Sequence, residues 1–329
     1  MKKPTYSVLD LVPIVCDSTI RDAYLNSMAL ATKVEQLGYH RYWIAEHHNM
    51  PGIASAATSI VMSYVASATK TIRIGAGGIM LPNHSPLVIA EQFGTLEAMY
   101  PGRIDLGLGR APGTDRQTMR ALRRGLSTGE QDFINHLQEL RDYFHPPTSQ
   151  SVHAIPGEGQ DIPIWLLGSS DFSARLAAEL GLPFAYASHF SPDGVLPALH
   201  LYRNLFKPST VLEQPHTMVA INVFAADTLE KAERISTSAK LQFLSLIRNQ
   251  PGKLPAPVDR MDEHWNEQEK QIVMGQLNNT LVGTPEMIKD GLERFAHSTE
   301  ADEVIVICHT YHFEDRVRTY EMIADVMMI

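Results

Sequence analysis

Three short stretches of the 329-residue chain gather side chains able to do chemistry: "AEHHN" at 45–49, "DLGLGRAPG" at 105–113 and "LLGSSDFS" at 166–173. In the first, Glu46 is followed by His47 and His48. Neighbouring residues at a strand end project to opposite faces, so the two histidines do not serve one centre together, and zinc-type H-x-H or H-x-x-x-H spacing is absent there. A single histidine turned to a site titrates near neutrality and can pass a proton or steady an anion, with Glu46 placed to orient it. The plain alternative is a packed, satisfied histidine.

The second stretch ends in glycines, an arginine and a proline. Gly107, Gly109 and Gly113 do not have the G-x-G-x-x-G spacing of a dinucleotide turn, and Pro112 stands where its helix should open. Arg110 is the stronger clue, because a guanidinium just past a strand end is a bidentate partner for phosphate. A tight turn with a surface arginine competes with that reading. In the third stretch, Gly168 allows a sharp strand-to-helix turn, and Ser169, Ser170 and Ser173 offer hydroxyls beside the first N–H groups of a helix. Serine is also a favoured N-cap that needs no ligand. If the strands ending at Arg110 and Gly168 are neighbours, both ends converge on one phosphate.

Short apolar strands alternate with amphipathic helices to position these stretches. Strands are expected at 7–12, 40–45, 72–76, 103–108, 162–167, 184–187, 217–225 and 304–308, and helices near 24–38, 54–69, 86–100, 129–145, 170–181, 192–206, 228–248 and 312–328. Eight strand–helix units imply an α/β fold, a closed (β/α)8 TIM barrel, rather than a doubly wound sheet. A Pro-, Gly- and charge-rich excursion at 250–283 interrupts the pattern between strands seven and eight, and nothing marks a second domain. In such barrels chemistry sits where strands end, which is where Glu46, His47, His84, Arg110, Ser169, His189 and His309 fall.

Composition narrows the partners. The chain carries 28 basic and 37 acidic side chains, a formal charge of -9, which argues against nucleic acid or an anionic membrane. Two distant cysteines, Cys16 and Cys308, form neither a disulfide framework nor a zinc knuckle, and a reducing cytoplasm is expected. The opening "MKKPTYSVLDLVPI" lacks a signal-peptide core, and no run of 18 apolar residues occurs.

Over nearly its whole length the sequence resembles the bacterial luciferase-like family of flavin-dependent monooxygenases, in particular its single-chain oxidoreductases. The resemblance rests on "RYWIAEHHNMPGIASAA", "IRIGAGGIMLPNHSPLVIAEQFGTLEAMYPGRIDLGLGRAPG", "PIWLLGSSDFSARLAAELGLPFAYASHF" and "ICHTYHFEDRVRTYEMIADV". It implies a barrel with an insertion near strand seven, reduced FMN at the C-terminal mouth supplied by a separate flavin reductase, O2 and a small organic substrate as reactants, and a homodimer. It also implies that His47 is catalytic with Glu46 before it, and that Gly77–Gly78 is a cis peptide against the flavin ring. Arg110 and the loop of Gly168, Ser169, Ser170 and Ser173 would hold the flavin phosphate. Gly109 stands where the light-emitting subunit has a reactive cysteine, and Ser169 where it has a glutamate, so light emission is not expected. Three rival readings are a flavin or deazaflavin dehydrogenase, a metal-dependent barrel hydrolase using His47, His48, His84 and His189, and a flavin carrier without catalysis.

Overall fold

The computed structural model describes residues 3–111, 115–122 and 129–327. Pro112 and Gly113 of the second stretch lie outside them. The strands are β1 (Thr5–Asp10), β2 (Arg41–Ile44), β3 (Arg73–Met80), β4 (Ile104–Gly109), β5 (Ile164–Gly168), β6 (Phe184–Tyr186), β7 (Thr217–Ala225), β8 (Leu281–Gly283) and β9 (Glu303–Ile307). All pair in parallel, and the β6–β7 and β7–β9 ladders close β1–β7 and β9 into an eight-stranded TIM barrel. The short β8 adds to the end of β7, where Val223, Phe224 and Ala225 face Leu281, Val282 and Gly283.

Alternation along the strands builds two cores. Inward residues Leu9, Trp43, Ala45, Trp165, Ala185, Met218, Ala220, Ile305 and Ile307 fill the barrel, while their outward neighbours, such as Val8, Ile44, Val219 and Val306, pack beneath the helices. Local sequence sets the helix ends. Thr19 and Asp22 form a capping box at the start of Ile20–Gln36, and Gly181, at φ 60°, closes Asp171–Leu180 in the left-handed region.

The segment between β7 and β9 differs most from the periodicity. A helix, Pro285–Thr299, stands where no element is expected, and it packs on Val195–Leu205, Phe313–Met327 and β7 as the true crossover to β9. Its signal is in the sequence: Thr284 as N-cap, Pro285 at the first turn, and Ile288, Leu292 and Ala296 four apart. Leu229–Ile247 follows β7 and packs on it, burying Ala232, Ile235 and Ala239 in the outer core, while its other contacts reach β8 and Glu267–Gln276. The excursion is tied to the barrel rim at two places. Leu254 exchanges main-chain hydrogen bonds with Ile14 and Cys16 after β1, and Gln276 and Asn278 donate to Phe190 and Asp193 after β6.

Candidate active site

The sequence "AEHH" divides between two faces. Arg41, Trp43 and Ala45 point into the barrel, and His47 continues that series. Glu46 has the opposite parity and is buried behind it. Its carboxylate accepts from His48 Nε2 at 2.9 Å, His84 Nε2 at 2.9 Å and the Met80 main-chain N–H at 3.2 Å. A carboxylate only accepts, so both imidazoles hold a proton on Nε2. Burial opposes ionisation of Glu46, but the His48 and His84 hydrogen bonds outweigh it and hold the carboxyl below its ordinary range. Glu46, His48 and His84 have metal-ligand types within 4.8 Å of one another. Their nitrogen lone pairs are not free for a cation while Nε2 carries the bonding proton, so the trio reads as a strut. It joins the loop after β2 to the turn after β3 and fixes the backbone on both sides of His47.

The β3–β4 side of the mouth is stripped of side chains. The Gly77–Gly78 peptide is cis, and the ladder to β4 shifts register between Ala76 and Ile79. A Cβ on Gly78 would come within 2.6 Å of Gly107 O, and one on Gly107 within 2.2 Å of Ala76 O. Only glycine fits where the two backbones approach so closely, and with Gly109 these positions leave a flat wall. Met80 lies along it, its sulfur 2.9 Å from where a Gly109 Cβ would stand.

Next to that wall, β4 and β5 bring Arg110 and the serine loop together. The Arg110 guanidinium lies 4.5 Å from the ring centroid of Phe172, in the first turn of Asp171–Leu180, and donates to Glu130 at 2.6 Å. That ion pair is a third to two-thirds exposed, a class worth roughly 0–1 kcal/mol. Ser170 occupies the N-cap, but its hydroxyl makes no capping bond. Gly168 is needed because a Cβ there would lie 2.5 Å from Ser173 Oγ. Arg110, Ser169, Ser170 and the first helical N–H groups therefore form a donor set with phosphate chemistry.

The opposite side of the mouth is lined by imidazoles. His189 follows β6 and His309 follows β9, continuing the inward parity of Ile305 and Ile307. Burial is the main force on both rings, lowering each pKa to about 3, and the proximity of His309 and His47 to His189, and of Arg316 and His47 to His309, adds to it. Neither His189 Nδ1 nor His309 Nε2 has a hydrogen-bond partner. No spacing rule singles out His189 or His309, since only the closed barrel brings strands two, six and nine to one mouth. Trp265, an apolar residue that could have lined a pocket, packs with Leu244, Val273 and Leu277 inside the excursion.

A parallel barrel whose strand ends gather an imidazole, a bare glycine wall and an arginine beside a serine-rich helix start has the layout of enzymes that work on small molecules at the barrel mouth. The chain belongs to the luciferase-like monooxygenase family, whose model matches residues 14–303. It is 57% identical over 327 residues to YvbT of Bacillus subtilis (strain 168) and 51% identical over 326 residues to a luciferase-like monooxygenase of Escherichia coli (strain K12). Each alignment covers 99% of this chain and 97% of the relative. Among solved structures, apo-MsnO8 superposes with a TM-score of 0.88 at 32% identity, covering 99% and 98% of the two chains. The oxygenating constituent of 3,6-diketocamphane monooxygenase of Pseudomonas putida, solved in complex with FMN, shares the fold at 16% identity and a TM-score of 0.74, covering 99% and 98%. Among the described residues no helix is long and apolar enough to cross a membrane.

Proposed function

We propose that the protein is a two-component, FMN-dependent monooxygenase that takes reduced FMN from a separate reductase and transfers one atom of O2 to a small organic substrate. The observation that carries this reading is the meeting of Arg110 with Phe172 beside the glycine wall, which offers a phosphate site and a ring-sized flat surface at one mouth. The FMN-bound diketocamphane enzyme supports the choice of flavin. Reduced FMN, when bound, supplies the electrons that activate O2.

The rest belongs to this chain's residues. Arg110, Ser169 and Ser170 hold the phosphate, and Gly77, Gly78, Gly107 and Gly109 let the ring lie against backbone. His47 faces the mouth as the group that holds and returns a proton, and Glu46 acts through backbone placement rather than by touching the reactants. The excursion, pinned at Leu254 and Gln276, excludes water as a wall or lid. We place the protein in the cytoplasm as a homodimer. Ile60 and Tyr64 on Thr58–Ser67, and Val88 and Met99 on Pro86–Met99, are exposed on adjoining helices linked by the Ser59–Gln92 hydrogen bond, and a second copy would cover them. Light scattering checks this, and Ile60→Glu is expected to yield monomers.

Anaerobic titration of reduced FMN, followed by mixing with aerated buffer, tests the assignment. Binding, a transient near-ultraviolet absorbance on aeration, oxygen consumption during turnover and weakening of binding by about 10- to 100-fold in Arg110→Ala are expected. Turnover without oxygen consumption would favour a dehydrogenase, and failure to bind either redox form of FMN would remove the flavin.

A further inference from the structure

The wall of the mouth facing the glycines is organised in an unusual way. The main chain that carries His189 is held from three sides: Asn222 Nδ2 on β7 donates to His189 O at 3.0 Å, Ser188 Oγ donates to Ala220 O, and Gln276 Nε2 from the excursion donates to Phe190 O. The main chain before His309 is held as firmly, with Arg316 Nε donating to Cys308 O at 2.9 Å and Arg316 Nη2 bound to the buried Asp10 at 2.7 Å. Among the described residues, neither His189 Nδ1 nor His309 Nε2 on these anchored segments has a hydrogen-bond partner. His309 is 9% exposed, and His189 makes only an edge contact with the Phe190 ring, 4.9 Å between centroids. Buried polar atoms are paired in most folds, and leaving one unpaired is destabilising. Here two neighbouring imidazoles carry that cost on an immobilised backbone, which is how a preorganised ligand site is built.

We propose that His189 and His309 form the polar pole of the substrate pocket and donate their unpartnered ring N–H groups to the oxygen of an uncharged carbonyl group on a small organic substrate. The inference rests on the flavin reading only for the position of the ring, which at the glycine wall leaves this pole facing it across the mouth. The ligand's charge follows from the surroundings. Both rings are neutral at physiological pH, because burial disfavours imidazolium, with His309 and His47 adding to it at His189 and Arg316 and His47 adding to it at His309. A carboxylate would have to be desolvated against neutral dipoles or bring a proton with it, whereas a ketone, aldehyde or amide oxygen needs only the N–H that a neutral imidazole keeps.

The test uses the full chain labelled with nitrogen-15 in histidine, titrated with methyl pentyl ketone and separately with hexanoate, with and without oxidised FMN. The ketone is expected to move the ring-nitrogen signals of both His189 and His309. Its affinity should fall about tenfold in His189→Phe and in His309→Leu, as expected for one lost hydrogen bond. It should return towards the parent value in His189→Asn and His309→Gln, whose amides place a donor near the lost Nδ1 and Nε2. The parent's own signals decide the matter if a variant fails to fold. Tighter binding of hexanoate with proton uptake would overturn the uncharged class, and unmoved signals with both probes would overturn the pocket. FMN binding, measured in both redox forms with the reduced form added anaerobically, separates the two readings: ketone shifts without binding of either form would sink the flavin assignment alone, and FMN binding without ketone shifts would sink this pocket alone.

Discussion

At the N-terminal end of the barrel, Arg41 bridges Asp105 at 2.7 Å and Glu303 at 3.1 Å, Arg73 reaches Asp105 at 2.7 Å, and Trp43 Nε1 donates to the same carboxylate at 3.1 Å. At the mouth, just past the ends of β6 and β9, His189 Nδ1 and His309 Nε2 have no hydrogen-bond partner among the described residues. Both ends are desolvated, yet the floor is organised around paired charges, although His216 Nε2, 3.9 Å from Glu303, has no hydrogen bond of its own among the described residues. These two imidazoles at the mouth, by contrast, have no described carboxylate beside them in an ion pair. Burial opposes ionisation of Glu303, but His216, Arg41 and Ser7 outweigh it and hold its carboxyl below the ordinary range. Nothing comparable compensates His189 or His309, which give up their charge instead. The floor is a closed structural plug, and the mouth keeps its hydrogen-bonding capacity for a visitor.

Breaking the floor should therefore cost the most stability. Asp105→Ala takes the shared carboxylate from two guanidiniums that are only 11% and 22% exposed, leaving Arg41 with Glu303 alone and Arg73 with main-chain carbonyls, and a loss of about 3 kcal/mol is expected in denaturant unfolding. FMN affinity of the molecules that remain folded should not change. If it did, the two ends would be coupled and the division between them would fail.

The mouth is distinguished next by pH. Folded-state pKa values near 3 lie below the ordinary histidine value near 6.5, so the unfolded chain binds more protons between them. Stability contributed by the neutral rings is complete above about pH 6.5 and is lost as pH falls towards 3, by up to about 1.4 kcal/mol per pH unit for each ring. Thermal or urea unfolding of His189→Phe/His309→Leu should show a shallower decline between about pH 6 and pH 4.5 than the parent. An unchanged slope would mean that the rings are solvated.

How much of this was legible in the sequence follows from the range of each interaction. Strand–helix alternation and the glycine runs are local, and they place the barrel, Arg110 and the serine loop within one motif length of a strand end. The opposite destinations of Glu46 and His47 follow from strand parity alone. Glu46's partners do not, because His84 approaches it only when β2 and β3 pair. The helix Pro285–Thr299 escaped for a different reason: the charged excursion before it blurred a capped, periodic start that is plain once isolated. His189 and His309 lie 120 positions apart, so their meeting belongs to barrel closure.

The strut behind His47 separates support from chemistry. Glu46→Gln keeps the shape but replaces a carboxylate that accepts from two imidazoles and a main-chain N–H, and a loss of about 1–2 kcal/mol is expected. As a positioning residue, Glu46 should affect turnover through the pH profile, with the limb assigned to His47 displaced and the FMN dissociation constant little changed. The purified parent should hold no stoichiometric zinc. Stoichiometric zinc, lost in Glu46→Gln, would turn the strut into a metal centre and revive the hydrolase reading.

The smallest stability effect is expected where the functional effect is large. Arg110 is tied to the fold by an exposed ion pair to Glu130 and by its contact with Phe172, each worth no more than about 1 kcal/mol at the surface. Arg110→Ala should therefore unfold within about 1 kcal/mol of the parent, yet lose most of its grip on the flavin phosphate. Glu130→Ala sharpens the contrast: removing the carboxylate that occupies the guanidinium should leave stability unchanged and tighten FMN binding severalfold, because the phosphate no longer displaces a competitor. If Glu130→Ala instead weakened FMN, the carboxylate would be orienting Arg110 rather than competing for it. Arg110 would then belong with the prearranged pairs of the barrel floor and not with the open chemistry of the mouth.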